Sequence, residues 1–209
     1  MNEKEWQLMQ INYKEIQANL EIFGDVKNGF YNADKTSGLF FEYVVNRLFL
    51  ALGNYNKIVY GMKLDETNKF EPKNVAAGNS VKLKGQDCIV SYDDFDLVVE
   101  PTLRPIYGSA DHFSHLDSNP SKKQLGIVIV ENIEKIDAAL WSMFKDYSDE
   151  KLFMLCDADF LFKLLKDQPT AFSKFKEFLF ASEKIWREEK DYEEIEKKII
   201  TLVRSENES

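Results

Sequence analysis

The chain has only two cysteines in 209 residues, Cys88 and Cys156. Each sits in an apolar, strand-like run where a buried thiol is common. They have no spacing that suggests a zinc site or a disulfide framework, so a cytoplasmic protein is the economical expectation. No apolar run approaches the roughly 20 residues that span a bilayer. The opening "MNEKEWQLMQ" is too acidic and polar for a secretory signal, and no membrane partner is expected. Positive charge is short as well. The formal net charge is −9, whereas a generic nucleic-acid coat rests on clustered Lys and Arg. A Gly-rich phosphate loop, an internal repeat and a low-complexity tract are all missing, as is any Ser-His or Cys-His arrangement for covalent catalysis. These absences argue against tight autonomous DNA binding. They leave open an enzyme that touches DNA locally and is held there by metal ions or by a partner.

What the chain does have is material for a core, including sixteen phenylalanines. Its length suits one compact domain with elaborations, or at most two small ones. Residues 1–30 carry apolar residues at helical spacing. Thr36 or Ser37 can cap a second helix, "GLFFEYVVNRLFLALG", that ends at Gly53. That helix is apolar on most sides and should be central, with Glu42 its odd residue. "KIVYGMKL" reads as a strand, and a long polar loop follows it. "LGIVIV" and "KLFMLC" are near-continuous apolar runs, as strands covered on both faces would be. "IEKIDAALWSMFKDYS" reads as an amphipathic helix, and "DADFLFKLLKD" as a helix that Asp157 can cap. The tail from Pro169 predicts one or two amphipathic helices, with "REEKDYEEIEKK" as a solvated face. Strands alternating with helices make the fold α/β, with a mixed sheet flanked by helices.

The stretch "GQDCIVSYDDFDLVVEPTL" reads as a hairpin with an acid at each outer end. If Asp93 and Asp94 form a two-residue turn, Tyr92 pairs with Phe95, Val90 with Leu97 and Cys88 with Val99. Asp87 then falls opposite Glu100 on one face, with Cβ atoms roughly 5 Å apart. Two bare carboxylates at that distance repel by about 3 kcal/mol at an effective dielectric near 20. Either one acid holds a proton or a divalent cation sits between them. Mg²⁺ suits such a place, because it takes oxygen ligands and keeps positions for water and phosphate. Solvated strand ends are the plainer alternative. Glu42 adds a third acid, costly to bury unless it is paired or metal-bound.

An acid on a helix followed by an acid pair across a hairpin resembles the PD-(D/E)XK nuclease superfamily, with its restriction-endonuclease-like core order α-β-β-β-α-β. In this chain that order would run through the Glu42 helix, the 57–64 strand, the two hairpin strands, the 109–118 segment and the 125–130 strand. The chain is closer still to the cleavage domains and small catalytic subunits of type IIS restriction endonucleases, the AlwI-like group and the heterodimeric nicking-type enzymes. "FFEYVVNRLFLALGNYNKIV" looks like their Phe-Glu-aromatic helix ending in Leu-Gly. "DCIVSYDDFDLVVEPTL" looks like their Asp-strand-turn-strand-Glu segment, and "FSHL" like their Arg-His-Leu. The similarity covers residues 36–168 as a nuclease core, leaving 1–35 as an N-terminal helical extension and 169–209 as C-terminal helices.

The resemblance implies that Glu42, Asp87 and Glu100 are metal ligands. It places Thr102 where the superfamily usually has Lys, and gives His115 a contact to the scissile phosphate or to a ligand. Arg104 or a second metal ion would then supply the missing cation. Lys122 and Lys123 either meet backbone phosphate or are exposed loop charges. The expected activity is Mg²⁺-dependent hydrolysis of a phosphodiester bond in double-stranded DNA, with Mn²⁺ able to substitute. The chain would cut one strand, and a larger subunit or separate domain would recognise the sequence. A homodimer or heterodimer would account for double-strand cleavage. Two other readings stay open: a stand-alone repair or phage-defence nuclease, and a catalytically inactive interaction module on a nuclease fold.

Overall fold

The computed structural model describes residues 34–60, 87–102, 122–136, 138, 141, 153–167 and 169–205. The expected first helix (1–30) and the 109–118 segment lie outside them. The elements described are α1 (Asp34–Leu52), β1 (Lys57–Tyr60), β2 (Cys88–Ser91), β3 (Phe95–Thr102), β4 (Lys123–Val130), β5 (Phe153–Asp157), α2 (Ala158–Leu164), α3 (Ala171–Glu188) and α4 (Tyr192–Ser205).

The five strands form one sheet in the order β1-β2-β3-β4-β5. The β1–β2 and β2–β3 pairs are antiparallel, and the β3–β4 and β4–β5 pairs are parallel. The sheet is therefore mixed, as expected, and β3 is the strand where pairing changes sense. Residues 125–130 are all buried. That is why the β4 sequence shows no alternation of apolar and polar residues.

α1 packs against β3 and α2, while α3 and α4 pack on β5 and on each other. The core of α1 is enclosed on every side, with residues 44–49 all buried. Its end follows from Gly53 and Asn54, both at positive φ (71° and 56°), a conformation glycine adopts without strain and Asn more readily than most residues. Its start differs from expectation. The helix begins at Asp34, so Thr36 and Ser37 lie inside its first turn. Asp34 is an equally suitable residue type for a helix N-terminus and comes first along the chain.

Aromatic side chains tie the helices together. Phe49 of α1 meets Phe175 of α3 edge-on, with centroids 5.7 Å apart, and Phe160 of α2 lies 4.5 Å from Phe178. Trp141 and Trp186 stack at 6.0 Å. Each such buried side chain contributes on the order of 1.5–3 kcal/mol by leaving water.

Asp157 caps α2 as expected, its Oδ1 accepting from Phe160 N at 2.9 Å. The helix expected from Ile133 starts instead as a short 3-10 turn, Ile133–Lys135, and Ile136 is extended. Asn132 Oδ1 accepts from Glu134 N at 2.9 Å and so closes that turn locally. Only Ala138 and Trp141 of the rest are described, and both are helical. The C-terminal tail forms two helices, and the break falls inside the charged run. Glu189 is extended, and Asp191 Oδ1 accepts from Glu193 N at 2.9 Å, starting α4. Both cysteines are buried free thiols. Among the described residues, no helix is long and apolar enough to cross a membrane.

Candidate active site

The hairpin adopts the register expected from its turn. Cys88 pairs with Val99 and Val90 with Leu97, and Tyr92 N donates to Phe95 O at 2.9 Å. That bond makes the odd-numbered β3 residues the hydrogen-bonded partners of β2. Two consequences follow. Pro101, which has no N–H, continues the odd series just past Val99, where the pairing with β2 ends. The next pair outward is Asp87 with Glu100, an even and therefore non-hydrogen-bonded position, where facing side chains come closest.

Glu100 is 1% exposed and Asp87 is half-buried at the entry to β2. Burial, the charges of Glu100 and Glu42, and a hydrogen bond shared with Glu100 push the Asp87 carboxyl up to about 9. All four influences act in one direction, because each disfavours a second negative charge. Without a cation, this pair holds a proton at neutral pH. Glu42, half-buried on α1, acts on Asp87 through its charge. Thr102 is the last residue of β3 and lies on the same face as Glu100 by the strand's period of two. It is half-buried. His115 and Arg104 fall outside the described residues.

The structure thus brings Asp87 and Glu100 together, with the charge of Glu42 acting on Asp87 and Thr102 on the same face of β3 as Glu100. Among the described residues, no set of three or more His, Cys, Asp or Glu side chains stands close enough to hold a metal ion as placed. The candidate donors are all oxygen and three of them are carboxylates, which fits a hard divalent cation such as Mg²⁺. Lys122 and Lys123 are engaged elsewhere. Lys122 donates to the Tyr92 carbonyl and lies 3.7 Å from Asp96, and Lys123 pairs with Glu183 at 2.7 Å. Both sit at the turn end of the ribbon rather than beside Glu100.

Two features escaped the sequence reading. α1 buries two polar side chains, Asn46 at 0% exposure and Arg47 at 8%. A helix apolar on most sides signals burial, but it does not say which of its polar residues are enclosed. The second feature is the network around Asp157. This buried carboxylate accepts from Ile133 N at 3.3 Å and from Arg204 Nη2 at 2.8 Å, and Arg204 Nε donates to Glu134 at 3.2 Å. Its partners come from 24 and 47 residues away, beyond the reach of local pattern.

A family model described as AlwI restriction endonuclease matches residues 1–110, more than half of the chain. That span contains Glu42, Asp87, Glu100 and Thr102. No curated protein matches the chain. Among solved structures, the small subunit (R.BspD6I2) of the heterodimeric restriction endonuclease R.BspD6I matches with a TM-score of 0.66 and 18% identity. The match covers 90% of this chain and 98% of that one. At that identity the likeness speaks to the fold, and the fold is the mixed, helix-flanked sheet described above. The resemblance carried by the Glu42 helix and the acidic hairpin is borne out, and the chain belongs to the AlwI restriction endonuclease family.

Proposed function

We propose that this restriction endonuclease chain hydrolyses a DNA phosphodiester bond at the Asp87–Glu100 pair with one or two Mg²⁺ ions. In this reading it cuts one strand, and a larger subunit or separate domain recognises the sequence. The observation that carries the proposal is the paired carboxylates themselves. Glu100 is buried and Asp87 half-buried, the two share a hydrogen bond, and Asp87 lies under the charge of Glu42 with no described cation acting on it. A fold gains nothing from such a pair unless something positive completes it.

Glu42, Asp87 and Glu100 would hold the metal, and residues 36–168 would form the nuclease core. Bound Mg²⁺ would supply a polarised phosphoryl oxygen and a water of lowered pKa. Asp87 would give up its proton to solvent on loading, so that both hairpin acids could act as carboxylate ligands. The Thr102 hydroxyl can donate and accept, and it orients the attacking water from the same face of β3. The water oxygen would bond to phosphorus, losing a proton to solvent, as the P–O bond to the leaving strand end breaks and the leaving oxygen takes up a proton from solvent. His115 is assigned a contact to the scissile phosphate.

A separate recognition subunit is supported by the net charge of −9 and by the solved relative, itself described as the small subunit of a heterodimeric restriction endonuclease. Supercoiled plasmid tests the whole reading. With Mg²⁺ or Mn²⁺, and with the product of a neighbouring gene added, open circles should accumulate and EDTA should stop them. Glu100→Ala should lose more than the roughly 100-fold forfeited when only a ligand's supporting partner is removed, while the protein stays folded. Metal-dependent nicking that survives Glu100→Ala sinks the site assignment. No nicking under any of these conditions favours an inactive interaction module.

A further inference from the structure

Asn46 lies one helical turn after Glu42, in the part of α1 that is buried on every side. It is 0% exposed, and neither Nδ2 nor Oδ1 has a hydrogen-bond partner among the described residues. An unsatisfied buried amide costs roughly 1–3 kcal/mol, and a leucine of similar volume would avoid that cost. The fold therefore keeps the amide against its own stability. Residues four apart on a helix are neighbours, with Cβ atoms about 5–6 Å apart. Helical side chains also lean toward the N-terminus, so the surface that residue 46 covers lies over the turn of residue 42. Among the described residues, Asp87 and Glu100 share a hydrogen bond while Glu42 acts on Asp87 through its charge, and the three are not grouped closely enough to hold a metal ion.

Resting on the metal-site reading above, we infer that Asn46 is a positioning residue for Glu42. Its carboxamide Nδ2 donates to the Glu42 carboxylate when that side chain joins Asp87 and Glu100 around a divalent ion. The amide is unengaged without the ion and engaged with it. Its burial cost is then offset only in the loaded state.

Mn²⁺ binding to the full chain, measured by calorimetry, is the primary test, and melting in EDTA the second. Asn46→Leu should bind Mn²⁺ about 10- to 100-fold more weakly, the usual loss for a ligand's supporting partner. It should melt no lower than wild type in EDTA. Asn46→Ala, which cannot overpack the site, should show the same weakening and is the deciding variant if the leucine does not fold. Asn46→Gln should recover part of the affinity. Wild-type Mn²⁺ affinity in a folded Asn46→Leu or Asn46→Ala protein overturns the inference. So does a large loss of EDTA stability in both, which would make the amide an ordinary structural group. Glu100→Ala is the control that separates the two ideas. If it too binds Mn²⁺ like wild type, the metal site itself is wrong. If it loses binding while both Asn46 variants keep it, only the role of Asn46 fails.

Discussion

The β2–β3 ribbon carries acids at both ends, and the two ends treat them in opposite ways. At the turn, each acid has a partner. Asn56 Nδ2 donates to Asp93 at 2.8 Å, Lys176 pairs with Asp94 at 2.8 Å, and Lys122 stands 3.7 Å from Asp96. The hydrogen bond and charge of Lys176 hold the Asp94 carboxyl below its ordinary value. At the open end, burial, neighbouring acids and a shared hydrogen bond drive Asp87 up to about 9. Both ends carry carboxylic acids, so the presence of acids alone does not distinguish them. The sign of the local field does, and at Asp87 it is the sign that the proposed metal site requires.

Asp157 sharpens the contrast because it is as buried as Glu100, each at 1% exposure. Its carboxylate is satisfied by two backbone amides and Arg204. Breaking a satisfied buried pair should be costly, while removing one member of a repelling pair should not. Asp157→Ala is expected to lose about 3–5 kcal/mol of unfolding free energy, measured by urea titration. Glu100→Ala in EDTA should match or exceed wild type. Equal losses for the two would erase the distinction between a structural acid and a site acid.

A smaller effect, with a definite sign, comes from pH. Asp87 has an ordinary value of 3.8 and a folded value of about 9. Between those values the folded chain binds more protons than the unfolded one, so this group's contribution is complete in acid and is lost as pH rises. Melting temperature in EDTA should therefore carry a downward component between about pH 5 and pH 8. Glu100→Gln should flatten it. If Mg²⁺ displaces the proton, as the proposed site requires, its stabilising effect should grow over the same interval. A Glu100→Gln protein with the wild-type slope would remove Asp87 as the source.

Much of this was legible in the sequence, for physical reasons that differ by element. The hairpin register follows from a two-residue turn and a period of two, so the Asp87–Glu100 pairing could be read off before any coordinates. The β4 and β5 runs were legible because a strand buried on both faces loses its alternation. Three features were not. The 3-10 turn at Ile133–Lys135 depends on Asn132 and on an amide bond to Asp157, 24 residues downstream. The break at Glu189–Asp191 lies inside a charged run whose helical offsets continue across it, so periodicity gave no boundary. Asn46 looked like any polar residue on a helix, because its enclosure depends on β3 and on other elements that local pattern cannot supply.

The smallest effect belongs to the turn end. Asp94 is exposed, and its bond to Lys176 spans 82 residues between the hairpin and α3. That link looks structural on paper. Exposed ion pairs, however, exchange Coulomb attraction for side-chain order and are screened by salt. Asp94→Asn should leave the melting temperature unchanged within error and nicking within about twofold of wild type, at low salt and high. A pronounced loss of nicking without unfolding would mean that the turn takes part in catalysis or in docking. The two ends of the ribbon could then no longer be read as one solvated and one functional.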